Sequence, residues 1–167
     1  MVAVGRGWIL IHSAPRALAP HVEWAAGRGL GSALSFSWEA QKIMPNTVRG
    51  EAAWQGRAGD GAAIASALRG WEHLRYEVVE EPSEGVDGAR WMHTPDLGIF
   101  HAQTDTAGNI VVPEDRIRSA MAAGRHSGAF ELTRELSLAL GQAWDDELEP
   151  FRQASGPNPV VWLHQVG

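Results

Sequence analysis

The spacing of apolar and polar positions changes several times along the chain, and each change marks an element. Trp8 to His12 (WILIH) is a short apolar, β-branched run between Gly7 and Pro15, which predicts a buried strand. From Pro20 to Leu30, Val22, Ala25, Ala26 and Leu30 share one helical face; Pro20 suits a first turn and Gly31 a left-handed end. SALSFSW (Ser32 to Trp38) alternates with period two and predicts a second strand, and Val48 to Trp54 a third, after the turn Met44-Pro45-Asn46. Beyond the glycine-rich Gly56 to Gly61, where Asp60 is placed to cap, a helix is predicted over Gly61 to Gly70 and a fourth strand over Leu74 to Val79. The order β-α-β-β-α-β is that of ferredoxin-like antiparallel sheets, so an α+β fold with a ferredoxin-like half over residues 1–80 is expected.

Glu80 to Arg90 (EEPSEGVDGAR) is acidic and turn-rich and reads as a boundary or an exposed loop. Strands are predicted at Trp91 to Thr94, Gly98 to Thr104 and Ile110 to Val112, with a turn over Asp105 to Asn109. Pro113-Glu114-Asp115 opens a helix expected to end at Gly124. Leu132, Leu136, Leu140, Trp144 and Leu148 recur every four residues, which predicts one long helix that Pro150 ends or bends. Val160 to Val166 reads as a last strand. Residues 89–167 thus form a second half, packed with the first as one compact unit.

Composition narrows the function classes. The chain has 167 residues, 44% apolar and 20% charged, which excludes disorder over most of it. No apolar run approaches the roughly 20 residues needed to span a bilayer, so no membrane role is expected. The first residues lack the apolar stretch of a signal peptide, which makes a cytoplasmic location the expectation. A net charge of −6 argues against general nucleic-acid binding. The absence of cysteine excludes disulfides, thiolate nucleophiles and thiolate metal sites.

Candidate chemistry is sparse. Seven histidines are scattered without metal-ligand spacing, so no metal or cofactor is expected. His12, His93, His101 and His164 sit in or beside predicted strands, where hydrogen-bonded strand histidines are the simpler reading. An acid–base site would draw on His12 or His93 with Asp96 or Asp105. Ser13 beside His12 lacks a nucleophile-elbow context. Arg16, at the start of the first helix, suits a carboxylate or phosphate as well as loop packing. Asp145, Asp146, Glu147 and Glu149 crowd one stretch of helix and read as a solvated acidic face meeting Arg152 or another arginine, or as a seat for a basic partner or a cation. Eight tryptophans exceed the needs of one small core. Trp24 falls off the apolar stripe of its helix and is the best candidate for a surface anchor; Trp91, Met92 and His93 form a second candidate surface, reaching to Asp96.

Five segments carry a resemblance: HSAPRALAPHVEWAAGR (His12 to Arg28), ALRGWEHLRYEV (Ala67 to Val78), RWMHTPDLGIFHAQTDTAGNIVVPEDRIR (Arg90 to Arg118), LALGQAWDDELEPFR (Leu138 to Arg152) and PVVWLHQVG (Pro159 to Gly167). Through them the chain resembles the actinobacterial family known as the domain of unknown function numbered 3145, over nearly its whole length. The resemblance implies an intracellular, stand-alone actinobacterial protein linked to fatty-acid metabolism, and carries over no reaction, cofactor or catalytic residue. The function expected is therefore non-catalytic binding or regulation through Arg16, Trp24 and the loop from Met92 to Leu97. The partner would be a protein, or a small acyl or nucleotide metabolite. The alternatives are a small hydrolase or isomerase using the histidines and aspartates above, and a homodimer whose interface takes the surplus tryptophans.

Overall fold

The computed structural model describes residues 3–154, and the expected strand over Val160 to Val166, with Trp162 and His164, lies outside them. Among the described residues the strands are β1 (Val4–Pro15), β2 (Ser37–Ala40), β3 (Thr47–Arg57), β4 (Arg75–Glu80), β5 (Gly88–Thr94), β6 (Gly98–Thr104) and β7 (Ile110–Val111). The helices are α1 (Ala19–Leu30), α2 (Asp60–Arg69), α3 (Glu114–Ser127), α4 (Ala129–Ala139) and α5 (Gln142–Gln153). The strands form one seven-stranded antiparallel sheet in the order β2-β3-β1-β4-β5-β6-β7. This is a mixed α+β architecture, and β5 continues the sheet directly from β4.

Alternation along the strands sorts side chains onto two faces. One face, with Ile9 and Ile11 of β1, Trp54 of β3, Tyr76 and Val78 of β4 and Trp91 of β5, packs against Val22 and Ala26 of α1 and Ile64 and Leu68 of α2. The Tyr76 hydroxyl donates to the Ala65 carbonyl at 2.9 Å, joining sheet to α2. The other face carries a smaller cluster, Met92, Phe100 and Ala102, covered by Leu148 of α5.

Several boundaries differ from the sequence expectation. Ser32 to Phe36 stays outside the sheet, and β2 begins only at Ser37. Asp60 is the first residue of α2, not its cap; the Gly59 and Gly61 N–H groups donate instead to Glu80 of β4, at 2.6 and 3.1 Å. A buried carboxylate from across the sheet thus meets the positive end of the helix. Gly124 does not end α3, which runs to Ser127; its bare Cα lets α4 approach, since a Cβ there would lie 2.8 Å from that of Leu132. The long helix expected over Leu132 to Phe151 is two. Leu140 and Gly141 break it, and Gly141 takes the left-handed conformation (φ 77°). Pro150 lies inside α5 without ending it.

Candidate functional site

Glu77 is the centre of a buried charge cluster on the α5 side of the sheet. Alternation in RYEVVE puts Tyr76 and Val78 into the α1–α2 core, so Glu77 faces the other way, where α5 closes over it to 0% exposure. Arg90 Nη2 donates to Glu77 Oε1 at 2.8 Å, and Arg152 Nη2 to the same oxygen at 2.5 Å. Arg152 Nε donates to Oε2 at 3.1 Å, and the His12 Nε2–H to Oε2 at 2.6 Å. Asp145 accepts from Arg90 and Arg152, each at 2.9 Å. Asp145, Leu148 and Arg152 lie on one face of α5 by helical spacing, so one helix supplies an acid, an apolar plug and a base to the same patch.

The remaining member, His12, borders an irregularity in β1. In β1 the register against β4 runs from Ile11↔Tyr76 to Ser13↔Arg75, and against β3 from Ile11↔Gly50 to Ala14↔Val48, so β1 carries one extra residue at His12–Ser13. Alternation after Ile11 turns His12 to Glu77, and the bulge turns Ser13 to the same side, toward Arg75, whose Nη1 donates to the Ser13 hydroxyl at 3.3 Å. The Gln41 amide holds the bulge from outside by donating to the His12 carbonyl at 2.7 Å.

Burial pushes the Glu77 carboxyl up, but the His12 hydrogen bond and charge and the Arg152 and Arg90 charges together hold it well below the usual carboxylate range. The Arg152 guanidinium, penalised by burial, is raised by Glu77 and Asp145. A carboxylate whose folded-state pKa is depressed stabilises the fold above its unfolded pKa, about 4.3 for glutamate, and loses that contribution as acid protonates it. Urea unfolding should therefore shift to lower denaturant as pH falls below roughly 4.3, and Glu77→Gln should flatten this dependence. An unchanged pH profile in that variant would show that other carboxylates set it.

The residues singled out from sequence do not converge. His12 faces α5, whereas His93 faces α2: its ring stacks on Tyr76 (5.0 Å, 9°) and its Nδ1–H donates to the Leu74 carbonyl at 2.7 Å. Asp96 is exposed in the β5–β6 turn, and Asp105 holds its own turn by accepting from the Ala107 and Asn109 N–H groups. The acid–base set His12, His93, Asp96 and Asp105 is thus dispersed over two faces and two turns. Trp91 and Met92 do not form one surface with His93 either, because adjacent strand residues point to opposite faces and all three are buried. The acidic run of α5 divides: Asp145 meets Arg90 and Arg152, while Asp146 is exposed and accepts from Gln142.

Arg16 and Trp24 are at the surface. Arg16 stands in the short 3-10 turn before α1, tied by its N–H to the Asn46 carbonyl at 3.1 Å. Trp24 is 61% exposed, with the Arg28 guanidinium 4.9 Å over its ring. It divides two clefts, one of about 640 Å³ against the turn from Gly31 to Leu34, the other of about 320 Å³ between α1 and α2, where Trp71 forms the far wall. His21 stacks on Trp71 at 5.9 Å. Among the described tryptophans, only Trp54 and Trp91 are buried in the core.

Among the described residues, no three histidine, aspartate or glutamate side chains gather closely enough to hold a metal ion, and no helix is long and apolar enough to cross a membrane. Compared with known proteins, the chain matches the family model described as protein of unknown function (DUF3145) over residues 8–165. No curated protein and no solved structure matches it.

Proposed function

The chain belongs to the DUF3145 family, and from its geometry we propose that it works by binding, holding a partner protein on the outer face of α1 and α2. One observation carries the reading: a tryptophan 61% exposed, steadied by a stacked arginine and flanked by two clefts. Leaving so large a ring in water has a cost that burial in an interface recovers, and a tryptophan–arginine pair is the usual composition of an interface anchor. The scaffold beneath supports this. The order β2-β3-β1-β4, with α1 and α2 packed on one face, agrees with a ferredoxin-like half, to which β5–β7 and α3–α5 are an extension.

The His12–Glu77 pair favours a second reading, a small hydrolase or isomerase with His12 as base and Glu77 as its orienting carboxylate. Against it, both Glu77 oxygens also accept from arginine, which stabilises the carboxylate as a structural ion.

Replacing Arg16 and Trp24 with alanine should change stability by no more than about 0.5 kcal/mol, as at other surface positions, while abolishing recovery of the partner by the tagged protein. His12→Asn should leave recovery intact. A large loss of melting temperature in the first variant would assign both residues to the fold and end the binding proposal.

A further inference from the structure

The hairpin of α3 and α4 has almost no core of its own. Of the described residues in its two helices, Ala120 alone is buried, although the pair carries Ile117, Met121, Phe130, Leu132, Leu136 and Leu138. The helices fold back on each other. At the loop end a Cβ on Gly124 would lie 2.8 Å from that of Leu132, and at the far end Pro113 and Arg116 line one cleft with Leu138 and Ala139. Along α3, Glu114, Ile117, Met121 and Arg125 follow at i, i+3, i+7 and i+11 and so form one stripe. All four are exposed, the two apolar members by 39% and 49%.

That stripe reads acid, apolar, apolar, base, and turned end for end it is its own complement. Glu114 then meets Arg125, and Ile117 meets Met121. Arg125 has no ion pair among the described residues, and Glu114 has only Arg118 of its own helix. Residues 114–139 carry four acids and four arginines, so two chains at −6 can meet there without the repulsion of their net charge. Independently of the binding reading above, we propose that a second copy of this chain docks on the hairpin about a two-fold axis, α3 antiparallel to its counterpart, so that two hairpins make a four-helix bundle. Helices of 14 and 11 residues lying side by side give a face roughly 20 Å on each edge. Two such faces bury on the order of 1,000 Å², the low end for a specific pair, so the dimer is reversible. Neither helix carries a tryptophan, and the hairpin shares no residue with the clefts beside Trp24, so the α1–α2 face stays open in the dimer.

Sedimentation velocity of the full chain tests this over about 5 to about 500 µM, where an interface of this size should shift from monomer to dimer. Glu114→Arg and Arg125→Glu are surface changes expected to melt as wild type. Each should weaken dimerisation about tenfold or more, because each sets like charges together at both ends of the stripe. An equimolar mixture of the two variants should recover the dimer, since each supplies the charge the other lacks. Met121→Glu should abolish the dimer, and mixing should not restore it. A wild type that stays monomeric throughout would overturn the proposal, as would a dimer that neither charge reversal weakens or a mixture that fails to re-form it. Loss of the dimer on Trp24→Ala, with both reversals inert, would place self-association on the α1–α2 face and equally overturn it.

Discussion

Glu77→Ala should destabilise the protein by about 3–5 kcal/mol, the cost of leaving buried charges without their counter-ion. Glu77 accepts from two arginines and a histidine at full burial, so its removal strands Arg90 and Arg152 where neither reaches bulk water. Asp145 keeps one bond to each arginine but sits at the edge of the patch, with its side chain a quarter exposed. The urea midpoint, followed by far-ultraviolet circular dichroism, should fall accordingly. Replacing the centre as a unit, Glu77→Leu with Arg90→Met and Arg152→Met, should recover most of the loss, because removing the charges together also removes their desolvation cost. A Glu77→Ala loss under about 1 kcal/mol would place the cluster with weak surface pairs. The Arg90 Nε, buried with no acceptor, is already a local cost within the cluster.

The second large effect is expected at Gly7. Three strands meet there: Gly7 of β1 pairs with Trp54 of β3 and Glu80 of β4. The Trp54 indole reaches across β1 and donates to the Val79 carbonyl at 3.2 Å. A Cβ on residue 7 would lie 1.8 Å from that carbonyl oxygen and 3.0 Å from the indole nitrogen. The carbonyl cannot yield without distorting the β1–β4 ladder, nor the indole without losing its bond to that carbonyl, so Gly7→Ala should cost about 3 kcal/mol or more, the upper range of overpacking. Thermal unfolding checks this. Trp54→Phe in the same background frees the indole position but not the carbonyl, so it should recover only part of the loss. Full recovery would show that the indole alone set the constraint.

Both effects arise where sequence reasoning was weakest. Period-two alternation in RYEVVE and helical spacing in HVEWAAGR were enough to locate β4 and α1, because burial of one face imposes those periods locally. Trp24 was legible as a surface residue for the same reason: it interrupts the stripe of Val22, Ala26 and Leu30 and has nowhere to go but out. Gly98 to Thr104 matched its strand because glycine and aspartate turns bound it closely on both sides. The charge cluster was not legible as such. An acid within a strand looks solvated until something covers the second face, and that cover, α5, comes some 70 residues later. A signal did exist in Asp145, Leu148 and Arg152 sharing a helical face, and the sequence suggested only that an arginine would meet the acids. The split between α4 and α5 was hidden because leucines every four residues continue through Leu140, while Gly141 is decided by the close approach of that turn to Met92 and Phe100.

What the chain alone determined is local: the β-α-β-β-α-β order, an α+β class and an exposed tryptophan. Those properties follow from neighbours within a few residues, whose periodicity and turn chemistry act before any long-range contact forms. Which histidine faces which layer, which acid is buried and which arginines remain unpaired were settled only by the assembled sheet. A strand residue points to one of two faces, and the helix that later packs on that face decides whether a charge there meets water or a counter-charge.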